Sequence, residues 1–98
     1  MYIAIPIDEN KNITKMINAK EWAIIDFDEG VVKEISYAPS WQEHNKEWLD
    51  FVILENKFEN TLDFLNEGIV TLTRREGQDS IDDIIEAFKF KELDEIGF

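Results

Sequence analysis

The chain has 98 residues, and 10 Lys and Arg against 22 Asp and Glu set a formal net charge of −12 at pH 7. With 44 % hydrophobic residues it is too apolar for a disordered chain, and its length is that of a single domain spanning residues 1–98. The absence of Cys excludes disulfides and any zinc or iron–sulfur site held by the chain's own thiolates.

Apolar runs such as Trp22-Ala23-Ile24-Ile25 fall far short of the roughly 20 residues of a membrane helix. No basic segment followed by an apolar stretch opens the chain, so the expectation is a cytoplasmic protein without a membrane partner. Arg occurs only at Arg74 and Arg75, and no basic stripe exists to neutralise phosphates, which argues against nucleic acid as a partner.

In chain order, Tyr2-Ile3-Ala4-Ile5-Pro6-Ile7 reads as a strand with Pro6 near its end. Asp8 to Asn18 is polar and reads as a loop. Trp22 to Asp28 and Val31 to Tyr37 are strands joined by a turn at Asp28-Glu29-Gly30, so the first part predicts a three-stranded antiparallel meander. Ser40 to Leu49 has helical spacing, with Trp41, His44 and Trp48 at i, i+3 and i+7. Phe51-Val52-Ile53-Leu54 has the wholly apolar pattern of a strand buried on both faces. Asn56 is placed to cap a helix with Glu59 reaching back, Phe58, Thr61, Leu62 and Leu65 on the buried side, and Gly68 closing it. Ile69 to Thr73 is the next strand and Arg74 to Gly77 a connecting loop. Ser80, with Asp83 three residues on, caps a last helix whose apolar stripe is Ile81, Ile84, Ile85 and Phe88. The tail keeps Leu93, Ile96 and Phe98, which either pack back or meet a partner, a second copy of the chain included. The order βββαβαβα predicts an α/β fold: a mixed five-stranded sheet, meander first, with helices on its faces.

Several stretches resemble the dinitrogenase iron–molybdenum cofactor biosynthesis family: Met1-Tyr2-Ile3-Ala4-Ile5-Pro6, Ala19 to Asp26, Asp50-Phe51-Val52-Ile53, and Ile81 to Phe88. The resemblance spans nearly the whole chain and implies a ribonuclease H-like fold. It also implies a carrier or accessory role toward an iron–sulfur-based or iron–molybdenum cofactor. Where that family has a His-Phe-Gly-Arg-Ala segment, this chain has Lys15-Met16-Ile17-Asn18-Ala19. Where the family has a Gly-rich turn after the fourth strand, this chain has Glu55-Asn56-Lys57-Phe58.

The candidate sites follow from residue chemistry. A carrier of a metallocluster or small anionic ligand would use the Asp8–Asn18 loop, with Asp8, Lys15 and Asn18 polar and Met16 a thioether able to hold a soft metal. A protein-contact role would use Trp41, His44 and Trp48, because tryptophan is enriched among residues that anchor interfaces. His44 with Glu47 is a thin basis for a metal site, since no further His and no Cys accompany them. A nuclease would need carboxylates converging on ions about 4 Å apart, for which Asp8 and Asp26 are the strand-borne acids. The glycines are too widely spaced for a phosphate cradle, and no nucleophile elbow is present. The expectation is a non-enzymatic accessory or regulatory domain acting by protein contact, with the carrier as the alternative.

Overall fold

A run in which nearly every side chain is apolar must find cover on both sides, and the computed structural model, which describes residues 1–44 and 48–96, shows how it does. The described residues form strands β1 (Tyr2–Ile7), β2 (Glu21–Asp28), β3 (Val31–Ala38), β4 (Phe51–Leu54), β5 (Val70–Thr73) and β6 (Asp94–Glu95). Two α-helices, α1 (Leu62–Asn66) and α2 (Ile81–Lys89), and a 3₁₀ turn at Met16–Asn18 complete them. One mixed sheet results, in the order β3-β2-β1-β4-β5-β6. β1, β2 and β3 pair antiparallel as a meander, while β4 lies parallel to both β1 and β5.

Strand alternation divides the core into two layers. Ile3, Ile5 and Ile7 of β1 join Ala23, Ile25, Phe27 and Ile53 beneath Ile81, Ile84 and Ile85 of α2. Ala4 joins Trp22, Ile24, Val52 and Leu54 on the opposite face, against Phe64 of α1 and Ile69. Phe88 bridges β2 and β4 on the α2 side through edge-to-face contacts with Phe27 at 5.3 Å and Phe51 at 5.0 Å.

The β2–β3 turn has Glu29 and Gly30 both at positive φ, the geometry that matches the right-handed twist of two flanking strands. Ser80 and Asp83 form the expected capping box at α2. Gly68, at φ +72°, follows α1, where its N–H donates to the Leu65 carbonyl and that of Ile69 to the Phe64 carbonyl. That pair of bonds satisfies the last carbonyls of a short helix.

Three expectations are corrected. The sheet has six strands, not five: Asp94 and Glu95 pair with Thr73 and Leu72, and the Ile96 N–H donates to the Thr71 carbonyl at 3.0 Å. The tail therefore covers the outer edge of β5, an edge that would otherwise present unpaired backbone groups. Leu93 and Ile96 pack back onto the two core layers, while Gly97 and Phe98 lie outside the described residues.

The segment expected to be helical from Ser40 to Leu49 forms turns over 40–43, and residues 45–47 lie outside the described residues. Ser40 Oγ accepts the Gln42 N–H at 3.3 Å, a local bond that competes with helix formation.

The helix expected from Asn56 starts instead at Leu62. Asn56 Oδ1 accepts the Phe58 N–H at 2.8 Å and Asn60 Oδ1 accepts the Leu62 N–H at 3.0 Å, so two side-chain turns replace the first helical turns. Glu59 does reach back to the Asn56 N–H, but its other oxygen takes the Met16 N–H at 2.6 Å. The buried face changes accordingly: Thr61 and Phe64 are inside, while Phe58, Leu62 and Leu65 are exposed. Phe64→Ala is expected to cost about 3–5 kcal/mol in urea unfolding and Leu62→Ala under about 1 kcal/mol, because only the first leaves a core cavity. Equal losses would restore the expected face.

Candidate functional site

The Asp8–Asn18 loop leaves the carboxyl end of β1. Asp8 Oδ1 accepts the backbone N–H groups of Asn10 at 2.8 Å and Asn12 at 3.1 Å, and the backbone closes the turn through Asp8 N–H to the Asn12 carbonyl at 2.9 Å. Lys11 takes a left-handed φ of +64° inside this turn. Its ammonium bonds to Glu21 and lies 3.9 Å above the Tyr37 ring, which ties the loop to β2 and β3. Met16 packs its side chain against the α1-side core, whereas Lys15 and Asn18 are exposed at the two ends of that turn. The four loop residues thus divide between turn closure, packing and solvent.

Trp41, His44 and Trp48 are brought together, though not by a helix. They line one open cavity of about 410 Å³ with Leu49, Glu67 and Ile69. Leu49 and Ile69 are buried and belong to the α1-side core, so the cavity has an apolar floor. The Trp41 ring lies 4.8 Å from that of Phe64, which fixes one wall to the core. Trp48 is 62 % exposed and forms the opposite wall. Glu67, the residue that ends α1, adds a carboxylate. The Glu47 of the His44–Glu47 metal reading lies outside the described residues.

A second polar cluster is one that sequence reading passed over as a connecting loop. Arg74 donates to Asp79 Oδ1 at 2.6 Å and faces Glu55 at 3.8 Å, while Arg75 donates through two nitrogens to Asp94 Oδ1 at 3.2 and 3.1 Å. These pairs clamp the loop after β5 to the segment after β4 and to β6. The available signal was the adjacency of the chain's only two arginines directly after a strand.

The acids do not gather for two-ion chemistry at the pair named from sequence. Asp26 pairs with Tyr2, at the opposite end of β1 from Asp8, which separates them by roughly 20 Å at the rise of an extended strand. Among the described residues no group of three or more His, Asp or Glu is placed to hold a metal. The donors of the loop do not fit a resident iron–sulfur group either: Asp8 is engaged by backbone N–H groups, the Met16 side chain packs on the core, and no thiolate exists. No described helix is long and apolar enough to cross a membrane.

With this geometry in view, known proteins were compared. No family model matches the chain, and no curated protein matches it. Solved structures do. The crystal structure of a "putative dinitrogenase" from Methanocaldococcus jannaschii superposes with a TM-score of 0.78 at 21 % identity, covering 99 % of this chain and 95 % of that one. The NMR structure of the same protein gives 0.77 at 23 % identity, with 100 % and 94 % covered. The crystal structure of a further protein, whose name states no function, gives 0.72 at 22 % identity, with 97 % and 94 % covered. At these identities the likeness establishes the fold. The chain shares one α/β architecture, end to end, with these proteins.

Two outcomes check the loop. Asp8→Ala is expected to cost about 1–2 kcal/mol in thermal or urea unfolding, and Asp8→Asn much less because an acceptor oxygen remains. The hydrogen bond to Glu21 raises the Lys11 pKa above its ordinary 10.5, against a smaller opposing effect of burial. The stabilisation from this pair is therefore complete below that ordinary value and is lost as the pH climbs through the raised one. Glu21→Gln should move the Lys11 titration downward in an NMR pH series, and an unmoved titration would show that the pair does not form in solution.

Proposed function

We propose that this chain is a non-enzymatic accessory or regulatory domain of the nitrogenase iron–molybdenum cofactor biosynthesis kind, with a ribonuclease H-like fold. It acts in the cytoplasm by contact with another protein at the Trp41–Trp48 cavity. Support for the fold part comes from the strand order, three antiparallel strands followed by two parallel ones, and from the full-length likeness to a protein called a putative dinitrogenase. Trp48 is the observation that carries the contact role. A large aromatic side chain, 62 % exposed, faces a second tryptophan over an apolar floor, the arrangement in which an interface anchor gains most from losing water.

A second reading, a carrier of a metallocluster or small anion, draws on Lys15 and Asn18. They stand exposed near the carboxyl end of β1, the end of a parallel sheet where ligands collect in α/β folds. In that reading the cluster is cargo, and the ligands are not those of the family resembled.

The two readings separate in one experiment. Partners are cross-linked in the source cell with wild type, Trp48→Ala, and a triple replacement of Lys15, Met16 and Asn18, and each recovered contact is re-measured with purified proteins. Trp48→Ala is expected to weaken the specific contact by about 2 kcal/mol, roughly thirtyfold, while moving stability by under about 0.5 kcal/mol. A contact indifferent to Trp48 sinks the cavity reading. Anaerobic native mass spectrometry with iron, sulfide and molybdate tests the carrier: bound mass lost in the triple replacement would establish it in place of the contact role.

A further inference from the structure

β6 and Ile96 cover one edge of the sheet, but the other edge, β3, has no described strand on its outer side. Eight residues of backbone there leave an outward row of amide and carbonyl groups for pairing. The strand is not regular. Its register against β2 shifts between Asp26 and Phe27, which pair with Glu34 and Val32, so that Lys33 is the extra residue of a bulge. In an even strand Val32 and Ile35 would face opposite sides. The bulge turns both to the α2 side, where both pack against the same core layer.

The consequence is a groove. Val32 and Ile35 line it from the strand, and Ile85 and Phe90 from the region of α2, around a volume of about 520 Å³. Phe90, which ends α2, is 68 % exposed. Asp82, Glu86 and Lys89 supply the charged rim, net negative, and Glu43 adds a further acid on the other face of the strand beside Ser36 and Pro39. An open backbone edge thus runs beside an apolar trough with acidic margins.

We propose that β3 is a strand-addition site for an extended segment of a partner protein in which apolar residues alternate with basic ones. Backbone pairing along Glu34 to Ala38 would supply affinity, and alternate apolar side chains would enter the Val32–Ile35–Phe90 trough. The basic residues would meet Asp82, Glu86 and Glu43. Charge selects this occupant over a second copy of the chain, because two molecules of formal charge −12 repel and the bulged Lys33 shortens the length free to self-pair. The site is separate from the Trp41–Trp48 cavity and stands whether or not that cavity is used.

The probe is a blocked peptide of about seven residues alternating Lys and Val, with an equally charged version carrying a central proline and a version with Glu for Lys. Binding to the full chain is followed by calorimetry and by amide hydrogen exchange. The Lys–Val peptide is expected to bind at least about tenfold more tightly than either control and to slow exchange selectively within Val31–Ala38. Phe90→Ser and, separately, Glu86→Lys on the exposed side of α2 should each weaken it about fivefold or more, and Trp48→Ala should not. Equal binding of the proline peptide would mean attraction by charge alone and would overturn the proposal. So would protection elsewhere in the chain, indifference to both variants, or β3 protection that grows with protein concentration in the absence of peptide, which would make a second copy the occupant.

Discussion

Burial of β1 on both faces governs the remaining architecture. Its odd-numbered isoleucines and Ala4 belong to different core layers, so each layer needs its own helix and neither helix can be removed without exposing half of the strand. At roughly 2 kcal/mol for burying an Ile side chain, Ile3, Ile5 and Ile7 alone tie α2 to the sheet by several kcal/mol before other contacts are considered. Pro6 is tolerated in this central strand: the pairing of β1 with β4 runs through Ile3 and Ala4, and Pro6 instead offers its carbonyl to the Thr14 N–H at 3.0 Å.

The two helices solve the same problem at different lengths. α2 has nine residues, a capping box and an apolar stripe, so it covers its layer by regular means. α1 has five, too few to be stable by itself, and relies on Phe64. That ring contacts Trp41 at 4.8 Å and Trp22 at 6.4 Å, which makes an aromatic cluster the cover of the second layer. A short helix covers little area, and the space it leaves beside Leu49 and Ile69 is the cavity walled by Trp41 and Trp48. The candidate site is in this sense a by-product of how the second layer is closed.

The two proposed surfaces lie on opposite flanks of the sheet order and use different physics. The tryptophan cavity offers aromatic area over an apolar floor, where desolvation dominates. The β3 edge offers directional backbone bonds, with acidic margins that select the sign of the partner. A strongly acidic chain is soluble without being inert, because the same charge that keeps copies apart draws basic segments toward it.

Much of this was legible in the residues. Strand positions follow from apolar runs of period two or of unbroken burial, and Ser80 with Asp83, or Gly68 after Leu65, are local signals that depend on few neighbours. The bonds they form span at most a few residues, so the sequence by itself determined the α/β class, the meander, the α2 cap and the acidic, thiol-free chemistry. Tertiary structure decided the rest, wherever a side chain had two possible uses and a distant group chose between them. Glu59 was available to continue a helix and is shared instead with the Met16 N–H, 43 positions away in the chain. Asp94 and Glu95 form a strand only because β5 presents an edge and Arg75 holds Asp94 there. Trp41, His44 and Trp48 share a site through the packing of Phe64 and Ile69 rather than through helical spacing. Local bonds are written in neighbouring residues, whereas competition between a local and a distant partner is settled only when the chain has closed on itself.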